Sequence, residues 1–363
     1  MAGHLRALFF VPFGGARRPD LLVRAVYLAT SLGHQAVMLF FVLSGFLVGG
    51  SVLRAFSHDR WSWSWFLSRR LTRLCIVLFP ALLLTLALDR IGPHLFGAGG
   101  VYGPHPTQRA VLSFSIPPRD GAGVFLGNAL FLQGICTTPF GSNAALWSLA
   151  NEFWYYLLFP LIAFALWRRR RRLAAALAVA AALAFVGLSM GMSFLIWLCG
   201  VLVFLLPAAR RGFRTATRRR LMVAGSLALA GLALLVFRGR TDNLAGDVAL
   251  GVVFAVLLYV VVHVSPGGDR ASAVATVSHR LAGFSYTLYL VHLPVLVFVR
   301  AWTEHAHQRQ WQPDVRHLAG GLLLALAIVA LAAAVAAVTE HRTDAVRSAI
   351  DRILAGRRRL NAA

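Results

Sequence analysis

The sequence contains no lysine, and its 36 basic residues are all arginine. That absence excludes Schiff-base and lysine-nucleophile chemistry. Only 13% of the residues are charged, against about 25% in a typical soluble domain. The three cysteines, Cys75, Cys136 and Cys199, are odd in number and lack metal-ligand spacing, so neither a disulfide framework nor a metal site is indicated. The first residues also lack the pattern of a cleavable signal peptide.

Hydrophobic residues make up 58% of the 363, and they are grouped in long runs. Runs near 20 residues are long enough to cross ~30 Å of hydrocarbon, and lipid forces each span to be a helix. The runs are 33–53, 74–89, 144–167, 173–190, 193–208, 221–237, 246–264, 281–299 and 317–338, with a shortened tenth at 5–13. The sequence therefore predicts an all-α, polytopic transmembrane helical bundle of about ten helices, the first truncated, in a single domain over 1–363.

Arginine density predicts the orientation of these spans. One set of alternate loops carries 24 arginines in 78 residues, and the other carries 11 in 98. Because the positive side faces the cytoplasm, the C-terminus and the basic tail 339–363 are predicted inside and the loop 90–143 outside. Within that loop, 124–135 is apolar but short, so we expect a re-entrant or interfacial segment. The net charge of +23 is spread between apolar runs rather than on one face, so it does not predict a nucleic acid partner.

The abundance of alanine, leucine, glycine and valine, together with arginine in place of every lysine, is typical of a GC-rich bacterial genome. The expected location is the bacterial cytoplasmic (inner) membrane, with the lipid bilayer as partner. Nothing in the sequence indicates an oligomeric state.

Glu152 is the only glutamate inside an apolar run. Burying a carboxylate in a membrane costs roughly 2.5–3.5 kcal/mol, so an intramembrane glutamate is by default a functional candidate. On a helix, Ser148 and Glu152 are i, i+4 and share a face, with Tyr155 close to it. The alternative interpretation is an ion pair with an arginine that fixes helix packing.

Two further polar positions lie within spans. Tyr289 and His292 share a helical face, and the interpretations of His292 as a functional residue or as a satisfied buried histidine are evenly balanced. Ser44-Gly45 lies in the run 33–53, where small residues usually permit close helix packing.

Arg69, Arg70 and Arg73 can converge on one side of a helix, since they are spaced i, i+3 and i, i+4. The simpler interpretation is a positive-inside anchor. The functional interpretation is a site for a phosphate-bearing ligand, because arginine binds phosphate with two parallel hydrogen bonds.

Four segments in order resemble the membrane-bound acyltransferase-3 family, which O-acetylates bacterial surface polysaccharides and related acceptors. They are 33–47, the arginine motif 66–73, the Trp-Ser-Leu-x-x-Glu motif with its preceding segment (128–133 and 146–156), and the Ser-Tyr-x-x-Tyr-x-x-His motif 284–292. The Ile-Tyr-Pro that usually follows the family's arginines is not kept here. The family also shows ten spans.

The resemblance implies an O-acyltransferase that moves an acyl group, acetyl above all, from a cytosolic acyl-coenzyme A to a hydroxyl of a glycan, glycolipid or similar acceptor. It implies that His4 is the base and Glu152 a second catalytic residue, with the three arginines binding the donor phosphates. Histidine suits this role because its unperturbed pKa is about 6.5. The acceptor or acyl path would include Ser44, Trp147, Ser148, Tyr155, Tyr286, Tyr289 and His292. No bound cofactor is expected. The resemblance implies that the donor substrate is an acyl-coenzyme A, and acetyl-coenzyme A is the expected one.

Two alternatives remain at this point: a transporter or flippase, and an inactive acyltransferase-like paralogue. The first helix keeps the second alternative open. The family carries an arginine about ten residues before the essential histidine, and with His4 in that place the arginine would precede Met1. We therefore expect that translation starts upstream, or that the chain is a fragment.

Overall fold

The computed structural model describes residues 1–17, 19–103, 116, 119–167, 171–207, 216–237, 244–264, 273–307 and 309–360. Within these residues the chain is helical and forms no β-strand beyond isolated bridges. The α-helices in chain order are α1 Ala2–Phe9, α2 Leu21–Thr30, α3 Gly33–Ser44, α4 Gly50–Ser57, α5 Trp63–Phe96, α6 Ala122–Ala129, α7 Trp147–Trp167, α8 Arg172–Leu205, α9 Ala216–Phe237, α10 Leu244–Tyr259, α11 Ala273–Ala282, α12 Ser285–His305, α13 Val315–Val338 and α14 Thr343–Leu360. The prediction of an all-α protein is confirmed.

Eight helical stretches among the described residues are long and apolar enough to cross a membrane. Two of them contain a π-helical turn, Gly45–Gly49 between α3 and α4 and Val260–Val264 after α10. The prediction of a multi-pass membrane protein is therefore confirmed. The eight-residue α1 is far shorter than the ~17 residues that a span requires.

The 34-residue α8 accounts for the difference between eight stretches and nine predicted runs. Gly187 has φ 80° and ψ 171°, which breaks the helix into two pieces. The Phe185 ring packs on Trp154, and the Trp197 ring packs on Phe159, with centroids 5.2 and 5.1 Å apart. The first piece of α8 thus runs antiparallel to α7, starting from the C-terminal end of α7. The second piece runs in the opposite direction, back towards the C-terminal end of α7. The chain therefore reverses at Gly187, as two separate spans require.

The membrane-facing sides of the helices carry the large apolar residues, as α13 shows. Leu323 is 68% exposed, whereas Ile328, Ala332 and Ala336 are buried. Lipid removes the usual advantage of burying leucine, so small residues occupy the helix contacts and leucines face outward. The aspartate before this helix, Asp314, accepts a hydrogen bond from the His317 N–H and caps its N-terminus.

The chain divides into two compact units, the first formed by Met1–Tyr27, Ser62–Trp147 and Arg270–Ala363. The short α1 belongs to its core, where Leu8 and Phe9 pack with Leu296 and Val297 of α12. Backbone hydrogen bonds hold the end of α1 and the residues after it, since the Trp311 N–H donates to Phe9 O at 2.7 Å and the Val11 N–H donates to Trp311 O at 3.1 Å. A helix too short to span is thus fixed by contacts with α12 and the segment before α13.

The second unit is formed by Leu28–Trp61 and Ser148–Asp269. In this unit, the end of α3 and the π-helical turn after it cross the second piece of α8 closely. A Cβ atom on Gly45 would lie 1.8 Å from the Trp197 carbonyl oxygen, and one on Gly200 would lie 1.9 Å from the Val42 carbonyl oxygen. Only glycine permits this approach, so the packing interpretation of Gly45 agrees with the structure.

Three helices, α2, α11 and α14, were not predicted from the sequence. The apolar segment 124–135 contributes α6 and then turns at Phe131 and Gly134, which have φ 58° and 85°. Asn128 holds this turn by donating to the Thr138 carbonyl and accepting from the Phe140 N–H. The segment is therefore a short helix and a turn rather than a span. The segments 209–220 and 265–280 are two of the arginine-bearing loops predicted on the cytoplasmic side, and their residues 209–215 and 265–272 lie outside the described residues.

Candidate active site

The first unit brings two of the predicted site residues together. His4 projects from α1, and His292 lies in the middle of α12, 288 positions away. The Nδ1 atom of His4 and the Nε2 atom of His292 are 2.9 Å apart, a hydrogen-bond distance. His292 is 1% exposed, and its Nδ1 lies 3.0 and 2.8 Å from the carbonyl oxygens of Leu288 and Tyr289. The histidine of α1 is thus hydrogen-bonded to the one in the late motif.

The two tyrosines of the late motif hold α12 in place. The Tyr286 hydroxyl donates to the Leu74 carbonyl of α5, and the Tyr289 hydroxyl donates to the Ala145 carbonyl just before α7. The Tyr289 ring also lies beside His292, with centroids 6.0 Å apart. Their hydroxyls therefore make backbone contacts that position the helix carrying His292, and Trp147 lies half-buried at the start of α7.

A polar loop that the sequence reasoning missed lies next to the same part of α12. The Asn143 amide donates to the Leu290 carbonyl at 2.8 Å, and the Gln133 amide donates to the Leu146 carbonyl at 2.9 Å. Asp89 of α5 accepts from the Ser142 N–H at 2.7 Å. All of these side chains are buried. Gln133 and Asn143 lie within the loop 90–143, which shows no helical periodicity. The family resemblance included Gln133 in the segment 128–133 but assigned it no role.

The three arginines lie on the first turns of α5, which begins at Trp63 after the Ser62 N-cap. The Arg69 guanidinium lies over the Trp65 ring at 4.7 Å, and Arg70 lies over Phe66 at 5.5 Å. Arg69 and Arg73 are exposed, and a spacing of i, i+4 places them on one face. The helix therefore presents two guanidinium groups to its surroundings, with Arg70 partly covered beside them.

The second unit contains Glu152, which is 7% exposed in α7. Its Oε1 accepts a short hydrogen bond from the Tyr156 hydroxyl and a longer one, at 3.5 Å, from the Ser44 hydroxyl of α3. The Trp197 indole N–H of α8 donates to the Ser44 oxygen at 3.2 Å. A chain of three hydrogen bonds thus connects the carboxylate to the side chains of three helices. Through it, the buried carboxylate accepts hydrogen bonds from two hydroxyl groups, as an intramembrane charge requires.

The remaining predicted residues of this unit lie nearby in the sequence but have different neighbours. Ser148 is buried one turn before Glu152. The Tyr155 hydroxyl donates to the Met190 carbonyl at 3.3 Å, and its ring packs against Phe41 and Phe194. Tyr155 is therefore part of the aromatic core of this unit. An i, i+4 spacing could have indicated Tyr156 as one partner of Glu152, whereas nothing in the sequence indicates that Trp197 donates to Ser44.

These residues form two sets, each within one unit. His4, His292, Tyr286, Tyr289, Trp147 and the three arginines belong to the first unit, and Glu152, Ser44, Ser148 and Tyr155 belong to the second. Among the residues that the structure describes, no group of three or more histidine, cysteine or acidic side chains could hold a metal ion. The chemistry available from these side chains is proton transfer by imidazole and carboxyl groups and anion binding by guanidinium groups.

Comparison with known proteins identifies the family of this chain. The family model described as "Acyltransferase domain", that of the acyltransferase 3 family, matches residues 1–340. An uncharacterized protein from Haemophilus influenzae is 29% identical over 153 residues, which cover 41% of this chain and 56% of that protein. The chain thus spans just over half the length of that relative. No solved structure matches the chain significantly. Since the family model covers nearly the whole chain, the protein belongs to the acyltransferase 3 family of membrane-embedded acyltransferases.

Proposed function

We propose that this protein is an O-acyltransferase that moves an acyl group, acetyl above all, from acyl-coenzyme A to a hydroxyl of a glycan or glycolipid. The observation that carries the proposal is the hydrogen bond between His4 and His292 inside a chain that matches the acyltransferase family. A half-buried imidazole held by a second imidazole is a suitable general base. The proposed location is the inner membrane of a bacterium, with the C-terminal tail in the cytoplasm.

In the proposed reaction, His4 removes the proton from the acceptor hydroxyl as its oxygen attacks the thioester carbonyl. The new carbon–oxygen bond forms, the carbon–sulfur bond breaks, and the coenzyme A thiolate receives the proton from the imidazolium. The products are an ester and free coenzyme A. Atoms and charges balance without a further reactant. Cleavage of the thioester supplies the driving force.

The proposed donor site lies at the first turns of α5. Arg69 and Arg73 are exposed on one helical face, and guanidinium groups bind phosphate oxygens with paired hydrogen bonds. Coenzyme A carries three phosphate groups, which such a face would bind on the cytoplasmic side. Glu152, with its hydroxyl donors Ser44 and Tyr156, is proposed to hold the acceptor or to exchange a proton during transfer.

The experiment uses membranes that contain the protein, expressed from the gene with its upstream region. Labelled acetyl-coenzyme A is supplied from the cytoplasmic side, and label is followed into the glycan and lipid fractions. We expect transfer by the unchanged protein, and at least a 100-fold loss for Glu152→Gln and for Arg73→Ala. Protein levels in the membrane are measured in parallel, so that loss of activity is separated from loss of protein.

Arg90→Ala is the matched control for the arginine variant. Arg90 lies on the same helix, about 26 Å along its axis, where it pairs with Asp120. This variant should transfer label as the unchanged protein does. Full activity of both Glu152→Gln and Arg73→Ala would refute the assigned roles. Transport of solute without any dependence on coenzyme A would support a transporter instead, and folded protein without transfer would support an inactive paralogue.

A further inference from the structure

The hydrogen bonds of His292 determine which of its nitrogens carries the proton. Its Nδ1 faces two backbone carbonyl oxygens, at 3.0 and 2.8 Å, and carbonyl oxygens only accept hydrogen bonds. Nδ1 must therefore be the N–H donor. At 1% exposure, a second proton would bury an unpaired positive charge, so the neutral ring is favoured and its Nε2 carries a lone pair.

The two imidazole rings are arranged for one in-plane hydrogen bond. Their planes differ by 4°, and their centroids are 5.1 Å apart. The joined nitrogens are 2.9 Å apart, and each nitrogen lies little more than an ångström from its own ring centre. These lengths add up to the centroid distance only when the rings lie side by side in one plane, rather than face to face. The Nε2 lone pair of His292 thus points along the line to His4 Nδ1.

Because a lone pair needs a donor opposite it, the contact assigns the proton on His4 to Nδ1. The remaining nitrogen, Nε2, then carries the lone pair that a base requires. In the other tautomer of His4, two nitrogen lone pairs would face each other across 2.9 Å. Nε2 of His4 would then already carry a proton and could not act as a base.

We propose that His292 is a positioning residue that holds His4 in the tautomer protonated at Nδ1, so that Nε2 of His4 is the base. This inference rests on the proposed function of His4, and it gives His292 a role distinct from lining a substrate path. It completes an ordered series: carbonyl oxygens of α12 orient His292, and His292 orients His4. A base oriented by a third group is the arrangement that imidazole catalysis uses in unrelated enzymes.

Three substitutions separate this role from simple packing. In His292→Gln, the side-chain oxygen is separated from Cβ by as many bonds as Nε2 of histidine is. It can therefore accept a hydrogen bond from the Nδ1–H of His4. The oxygen of His292→Asn is one bond shorter and matches Nδ1 instead, so it cannot reach His4. His292→Leu fills the space without an acceptor. Glutamine and asparagine are equally polar, which makes asparagine the matched control.

The first readout is steady-state acetyl transfer by the purified full-length protein in lipid vesicles. We expect kcat to fall by roughly 100-fold or more in His292→Asn and His292→Leu, with the KM for acetyl-coenzyme A unchanged. His292→Gln should recover at least a tenth of the unchanged rate. If asparagine and leucine variants work as well as glutamine, or if folded glutamine protein is as inactive as leucine protein, the inference is overturned.

The second readout needs no turnover. Solid-state NMR of protein labelled with ¹⁵N and ¹³C in histidine reports which ring nitrogen is protonated, and the signal missing from His4→Ala identifies His4. A proton on Nδ1 of His4 in the unchanged protein, lost from that position in His292→Leu, supports the inference. A proton on Nε2 overturns it, whatever the activity. If Nδ1 is protonated but no acyl transfer occurs, the pairing stands and the proposed function fails.

Discussion

Substituting Gly45 with alanine tests the helix crossing that supports Ser44 and, through it, Glu152. The new Cβ atom would lie 1.8 Å from the Trp197 carbonyl oxygen and 2.9 Å from its carbon. Both are backbone atoms of α8, so no side-chain rotation can relieve the overlap. The two helices must move apart.

The size of that movement follows from the same distances. Ordinary contact for a Cβ atom begins near 3.4 Å, so α3 and α8 must separate by about 1.6 Å at this point. Overpacking of this kind costs about 1–3 kcal/mol. The movement also stretches the 3.2 Å hydrogen bond from Trp197 to Ser44, a loss of about 1 kcal/mol. Alanine regains about 0.5–1 kcal/mol of helix propensity, which leaves a net destabilisation of about 1–3 kcal/mol.

The assay is thermal unfolding of the detergent-solubilised protein. The fraction that stays folded after heating is measured by size-exclusion chromatography. Gly231→Ala is the matched control, because a Cβ atom there meets nothing within 4 Å. Gly200→Ala should be as damaging as Gly45→Ala, since its Cβ would lie 1.9 Å from the Val42 carbonyl oxygen. One separation relieves both overlaps, so the double variant should lose less than the sum. A Gly45→Ala protein as stable as Gly231→Ala would refute the backbone-contact crossing.

Two further substitutions test buried polar contacts. Tyr156→Phe removes the hydroxyl that donates to Glu152, and we expect about a tenfold loss in labelled acetyl transfer. Tyr155→Phe should retain activity, because the Tyr155 hydroxyl donates to a backbone carbonyl. Equal losses in the two variants would contradict the assignment. Glu304→Ala leaves the 4%-exposed Arg300 side chain without its carboxylate partner, so we expect destabilisation by about 3–5 kcal/mol in the same thermal assay, and an unchanged melting temperature would contradict the pairing.

The spans were predictable because each depends on a local property. The run 144–167 matches the helical residues Ala144–Leu146 and Trp147–Trp167, since length and hydropathy alone decide whether a segment can cross a bilayer. The start of α5 was less predictable. Its helix begins at Trp63, eleven residues before the apolar run, because the arginine-bearing turns are helical without being apolar. The helix α2 was missed for a different reason, since it is apolar but only ten residues long, too short to be predicted as a span.

The candidate site was predictable only in part. An intramembrane carboxylate is costly and therefore conspicuous, so Glu152 could be selected from sequence. Helical periodicity reports residues on one helix, and it placed Ser148 on the same face as Glu152. The donor Ser44 comes from a different helix, 108 positions away from Glu152 in the sequence. Periodicity carries no information about which helices become neighbours.

Membrane burial explains why selection and pairing differ in this way. Each polar side chain in the hydrocarbon region must find a partner, so its presence predicts that a contact exists without naming the partner. His4 shows the limit of the sequence most clearly, since a histidine in an eight-residue helix has no distinguishing local feature. Its significance arises from the 2.9 Å contact with His292, and that contact depends on α1 packing into the core beside α12. The core residues Leu8 and Phe9 therefore support the proposed base indirectly, because they pack α1, which carries His4, against α12.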